Sequence, residues 1–125
     1  MNIITTWFAT LFASLLFIVC SCSDSSVIEP NNPPVASFSF SPANADTSTI
    51  FTFDASASTD LEDVTSTLLF KWDFEGKSNW TEAVNDPIAN YKYSKPGTYQ
   101  VGLKVIDSEG WSGETRKDII VRDSV

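Results

Sequence analysis

The sequence predicts an all-β fold, a two-layered sandwich of about seven short strands. Apolar and polar side chains alternate in one short segment after another from Val35 onward, the period of a strand with one buried face. Turn-forming clusters separate those segments: Ser41-Pro42-Ala43-Asn44, Lys95-Pro96-Gly97 and Ser108-Glu109-Gly110. No window in the same region carries a helical period.

The first strand starts at Val35, with Ala36, Phe38 and Phe40 alternating against Ser37, Ser39 and Ser41, and Pro42 ends it. The second is Ile50–Phe53, which puts Phe51 and Phe53 on one face. In the third, Leu68, Phe70, Trp72 and Phe74 face one way and Leu69, Lys71 and Asp73 the other. Tyr91 and Tyr93 mark the fourth. Tyr99, Val101, Leu103 and Val105 mark the fifth, and Ile119 and Val121 a sixth spanning Lys117 to Val121. Nine Phe and four Trp supply the core. Trp72 on a central strand fills the middle of two sheets, and Tyr99 near a strand start is placed to return its hydroxyl to nearby backbone. Trp72 and Tyr99 are therefore read as structural core, in an immunoglobulin-like sandwich.

The sequence predicts three parts: residues 1–21, a signal peptide; 22–33, a flexible linker that opens on Cys22; and 34–125, the sandwich. Residues 1–23 hold no charged side chain, and Trp7 to Val19 is nearly all apolar. That run matches a signal-peptide core and falls short of the roughly 20 residues that span a bilayer. Cys20 and Cys22, separated by Ser21, are poorly spaced for a disulfide, and no second pair makes a zinc site. Val19, Ser21 and Cys22 instead resemble a bacterial lipobox, which implies cleavage after Ser21 and acylation of Cys22. Several acyl chains together anchor stably. The first six residues depart from a signal peptide in lacking a basic side chain, and the alternatives are an uncleaved membrane helix or a plain secretion signal without lipid. The resemblance implies a lipid-anchored protein of the bacterial cell envelope, at the outer membrane or cell surface.

Eight Lys and Arg stand against 16 Asp and Glu, a formal net charge of −8. Such a surface repels nucleic acid. The chain contains no His, which removes the commonest general base and metal ligand. Asp73 and Glu75 have the look of a glycosidase pair, but a solvated strand face explains them more simply.

Three segments resemble the PKD (polycystic kidney disease repeat) domain. They are Asn31-Asn32-Pro33-Pro34-Val35-Ala36-Ser37-Phe38; Phe53-Asp54-Ala55-Ser56-Ala57-Ser58-Thr59-Asp60 with Trp72-Asp73-Phe74 downstream; and Tyr91 to Val101 followed by Leu103-Lys104-Val105-Ile106-Asp107. Where that family has Trp-Asp-Phe-Gly-Asp-Gly, this chain has Trp72-Asp73-Phe74-Glu75-Gly76. The resemblance implies a non-catalytic module that binds envelope protein or polysaccharide, or acts as a spacer. It also implies calcium as the one expected cofactor, with ligands carried onto Asn31, Asp60, Asp63 (or its neighbour Glu62) and Asp107. Calcium takes several hard oxygen ligands, which these side chains supply. The alternative is that the acids are turn residues holding loop amides. Trp80 and Trp111 stand among polar residues and are candidates for stacking on sugar rings or anchoring a partner. The alternative folds each over an end of the sandwich.

Overall fold

The computed structural model describes residues 29–125. The signal segment 1–21, Cys20, Cys22 and most of the linker lie outside the described residues. Seven strands follow: β1 (Ser39–Ser41), β2 (Ala45–Asp46), β3 (Ile50–Asp54), β4 (Leu69–Asp73), β5 (Ile88–Lys92), β6 (Gly97–Ile106) and β7 (Ser112–Arg122), with one 3-10 turn at Thr65–Thr67. They form two sheets, ordered β1-β3-β5 and β2-β7-β6-β4, so β4, which carries Trp72, lies at the edge of its sheet and not at the centre. All neighbours are antiparallel except β2, which runs parallel to β7. The described residues form an all-β sandwich.

The alternation explains what closes it. Phe51 and Phe53 of β3 face Phe70 and Trp72 of β4, Val101, Leu103 and Val105 of β6, and Ile119 and Val121 of β7, all buried. Phe38 packs edge-on against the Trp72 ring at 5.3 Å, and Phe53 lies 5.6 Å from it. Phe74 continues the stack, 5.8 Å from Trp72 and 4.4 Å from Tyr91. Such aromatic pairs contribute about 0.5–1.5 kcal/mol each beyond area burial. Tyr99 is half-buried, and its hydroxyl donates to the Lys95 carbonyl at 2.7 Å.

The element bounds differ from the alternation in three places. Val35 does not join β1. It exchanges backbone hydrogen bonds with Thr59 (2.7 and 3.1 Å), while the buried Ser58 hydroxyl accepts from the Ser37 amide and donates to the Ser37 carbonyl. A side chain thus replaces a strand neighbour, and regular pairing begins only at Ser39. Strand β2 is two residues long, too short to show a period. Strand β7 starts at Ser112, five residues before the apolar alternation, because Gly113 and Thr115 carry no apolar side chain to reveal it.

Gly113 is there for close approach. A Cβ at this position would collide with the Pro34 carbonyl oxygen, so the chain leading into the sandwich lies directly on β7. We expect Gly113→Ala to push residues 31–37 off the sheet, at about 1–3 kcal/mol, the usual scale of overpacking. Limited proteolysis should then cut that segment faster, and the melting temperature should fall. An unchanged melt and cleavage pattern would contradict the expectation.

Candidate functional site

Four loops converge where the chain enters the sandwich, hereafter the N-terminal pole. They are residues 31–37, residues 55–64, the turn 107–111 between β6 and β7, and the chain leading into β5. The register puts the end of β3, the start of β4, the end of β6 and the start of β7 at this same pole.

Hydrogen bonds lace the candidate ligands together here. Asn31 Nδ2 donates to Asp107 Oδ2 at 2.7 Å. Asp107 Oδ1 accepts from the amides of Glu109 and Trp111 at 2.9 and 2.8 Å. The Ser108 amide and hydroxyl donate to the two oxygens of Asp63. Asp60 Oδ1 accepts from the amides of Glu62 and Asp63 at 2.8 and 2.7 Å. Glu62 in turn accepts from the Asn32 side chain at 2.6 Å and from its amide. The structure therefore gathers Asn31, Asp60, Asp63 and Asp107 in one loop cluster, with Glu62 on Asn32. Most of their oxygens bond loop amides and side-chain donors, as turn residues do.

One atom breaks that account. Asp60 Oδ2 is buried with no hydrogen-bond partner, and a buried carboxylate oxygen without a donor is costly. Among the described residues no three acidic side chains stand close enough to hold a metal on their own. A hard cation here would therefore draw on the Asn31 amide oxygen and backbone carbonyls as well as carboxylates, which suits calcium chemistry. In kind, the donor set fits.

Trp80 and Trp111 are not brought together. Trp111 belongs to the β6–β7 turn at the N-terminal pole and is half exposed. Trp80 lies on the outer face of the four-stranded sheet, its ring over Gly102, with the Lys104 ammonium 4.6 Å and the Arg116 guanidinium carbon 5.2 Å from its centre. Gly102 and Ile106 stand four positions apart on β6, about 13 Å of strand. Trp80 is half-buried and its ring already holds two cations, an arrangement that strand alternation does not reveal.

Alternation predicts Asp73 on a solvated strand face, but it is buried. The loop after β4 folds back over it. Asp73 Oδ2 accepts from Arg116 at 3.0 Å and from the Ser78 amide at 2.8 Å, and Oδ1 accepts from the Lys77 amide at 3.1 Å. Ser78 adopts φ +61° to present its amide. Glu75 lies past the end of β4 and bonds Lys77 and Tyr91. A polar hollow of about 190 Å³ opens beside them, and Asp73 is tied to Arg116 at its edge.

Several carboxyls titrate low. Burial pushes Asp73 up, but Arg116 and the amides of Ser78 and Lys77 outweigh it and hold it below the usual carboxylate range. In Asp107 the Asn31 amide and the turn's backbone N–H groups likewise overcome burial. The hydroxyl and amide of Ser48 lower Asp46, and those of Ser56 lower Asp54. A carboxyl with a depressed folded pKa adds stability above its unfolded value, near 3.9, and loses it as pH falls through the folded value. The melting temperature should therefore hold steady above about pH 5 and drop steeply below about pH 4. A melt that stays level to pH 2.5 would contradict these shifts.

A family model described as the PKD domain matches residues 31–121. A chain from a structural study of the promiscuous specificity of carbohydrate-binding modules of the β-sandwich superfamily is 35% identical, with a TM-score of 0.68. The alignment covers 78% of this chain but only 37% of that one. The PKD1 domain of Vibrio anguillarum Epp is 23% identical over 76% of this chain and all of its own, with a TM-score of 0.59. The PKD1 domain of the Vibrio cholerae metalloprotease PrtV is 24% identical over 73% of this chain and 99% of its own, with a TM-score of 0.56. The two Vibrio structures share the fold. Among curated proteins nothing matches significantly. With its matched segment running from Asn31 to the end of the last strand, the chain belongs to the PKD domain family.

Proposed function

We propose that this chain is a bacterial cell-envelope lipoprotein, anchored through acyl groups on Cys22. Its PKD domain acts without catalysis, as an interaction or spacer module at the cell surface. One observation carries the anchor: an uncharged apolar run passes straight into Val19-Cys20-Ser21-Cys22, and the family match begins nine residues later at Asn31. The absence of His and the tying of Asp73 to Arg116 argue against catalysis. Mass spectrometry of the mature N-terminus tests the anchor. Diacylglyceryl-modified Cys22 is expected. An intact Met1, or an unmodified Cys22, would overturn it.

A second reading, carbohydrate binding, is supported by the likeness to a chain studied among carbohydrate-binding modules. On this reading Trp111 is the better placed of the two tryptophans, because its ring is the more open to solvent. Retention of the domain on immobilised polysaccharide, lost in Trp111→Ala and kept in Trp80→Ala, would favour it. No retention on any glycan would remove it.

We further propose that calcium binds among Asn31, Asp60, Asp63 and Asp107, where it would satisfy the unpartnered Asp60 oxygen. Calorimetric titration with calcium should give heat that Asp60→Asn abolishes. Titration without heat would leave these acids as loop locks alone.

A further inference from the structure

We propose that the N-terminal pole of the domain rests on the membrane surface, with Leu61, Val64 and Trp111 at the level of the lipid headgroups. This rests on the Cys22 anchor proposed above. Apart from the C-terminal Val125, the three most exposed large apolar residues among those described are Leu61 at 83%, Val64 at 66% and Val35 at 65%. All three belong to loops of this one pole, and Trp111, at 53%, joins them. Val35 and Leu61 line a single open hollow of about 490 Å³ with Asn32 and Pro33. Val64 follows Asp63, whose carboxylate holds Ser108 in the turn that carries Trp111. The four side chains are thus fixed by one network rather than scattered.

Chain length names the occupant. Cys22 stands nine residues before Asn31, and fully extended residues span at most about 3.5 Å each, so the acyl anchor holds this pole within about 30 Å of the bilayer. Asn31 itself is tied to Asp107 in the same pole. Ile50 at 62% and Ile120 at 63% stand toward the other end, one on each sheet, but the tether delivers the pole of Leu61, Val64 and Val35 to the lipid. Tryptophan favours the bilayer interface, with its ring in the apolar zone and its N–H in the wet one. A few side chains bind lipid weakly by themselves, but a short tether makes the contact intramolecular and raises its effective concentration. Asp60, Glu62, Asp63, Asp107 and Glu109 occupy the same loops and repel anionic headgroups. The surface that fits is zwitterionic.

The test uses the full chain, lipidated in a bacterial host and reconstituted into phosphatidylcholine vesicles. A polarity-sensitive fluorophore is attached at Leu61→Cys or Val64→Cys, and at Lys95→Cys on the opposite pole as control. Thermal melts check that each variant is folded. The labels at 61 and 64 should brighten severalfold and shift to the blue on reconstitution, the label at 95 should not, and the effect should weaken as phosphatidylglycerol is added. If the protein floats with the vesicles while all three labels stay aqueous, the docking proposal fails and the anchor stands. In that case Trp111 is free for a protein or glycan partner. If the protein does not float with vesicles, the anchor reading fails and the docking falls with it.

Discussion

Trp72→Ala is expected to destabilise the domain by about 3–5 kcal/mol, the range for truncating a large buried aromatic. Trp72 is 2% exposed and stands between both sheets. Phe38, Phe53 and Phe74 all meet its ring within 6 Å, so no single neighbour can move to fill the space. The sandwich is small, and a typical domain has only about 5–15 kcal/mol in total, so the variant should lie near its unfolding midpoint at modest denaturant. Urea titration followed by tyrosine and remaining tryptophan emission gives the number. Trp72→Phe, which keeps much of the volume, should lose markedly less. A loss below 1 kcal/mol in the alanine variant would mean that the core does not close on this indole. The indole Nε1–H is buried without an acceptor, so a small part of the loss is returned when the donor is removed.

The second large effect is expected at Asp73. Asp73→Ala should lose about 3 kcal/mol, the lower end of the range for breaking a buried ion pair. The lower end applies because Arg116 keeps a second partner in Glu114 at 3.2 Å and retains some access to water. The amides of Lys77 and Ser78 would lose their acceptor together, freeing the loop that lays Trp80 across Gly102. Asp73→Asn, with one oxygen left, should lose less. A double-mutant cycle with Arg116→Ala isolates the pair: strong coupling is expected between positions in direct contact. Simple additivity would show that the loop, not the ion pair, accounts for the loss.

These two residues also show what the sequence made legible. Alternation placed Phe51, Phe53, Phe70, Trp72, Val101, Leu103 and Val105 in the core, because a strand period depends only on side-chain polarity along the chain. The same alternation put Asp73 on the outer face and left it in water, because nothing local announces that residues 77–80 will fold back over it. The covering loop, Arg116 from β7 and Trp80 are brought there by tertiary pairing. Gly113 and Ser58 were invisible for a related reason: one is needed for the space it leaves, the other for a hydroxyl that imitates a strand. At the N-terminal pole the resemblance to the PKD family supplied Asn31, Asp60, Asp63 and Asp107 as a group. The partnerships of Ser108 and Asn32 with those acids emerged only from the structure.

The parallel pairing of β2 with β7 has a mechanical consequence. Ala45 and Asp46 lie beside Val121 and Arg122, and the Thr47 amide adds a bond to the Arg122 carbonyl. Tension applied between the two ends of the domain pulls these strands in opposite directions along their length. Their bonds are then loaded side by side and must give way together, whereas an antiparallel hairpin pulled from its open end unzips one bond at a time. A domain loaded in this way would therefore yield abruptly, at a force set by this patch. Pulling on single molecules should show that force fall when Thr47→Pro removes the amide, and an unaltered rupture force would place the mechanical clamp elsewhere.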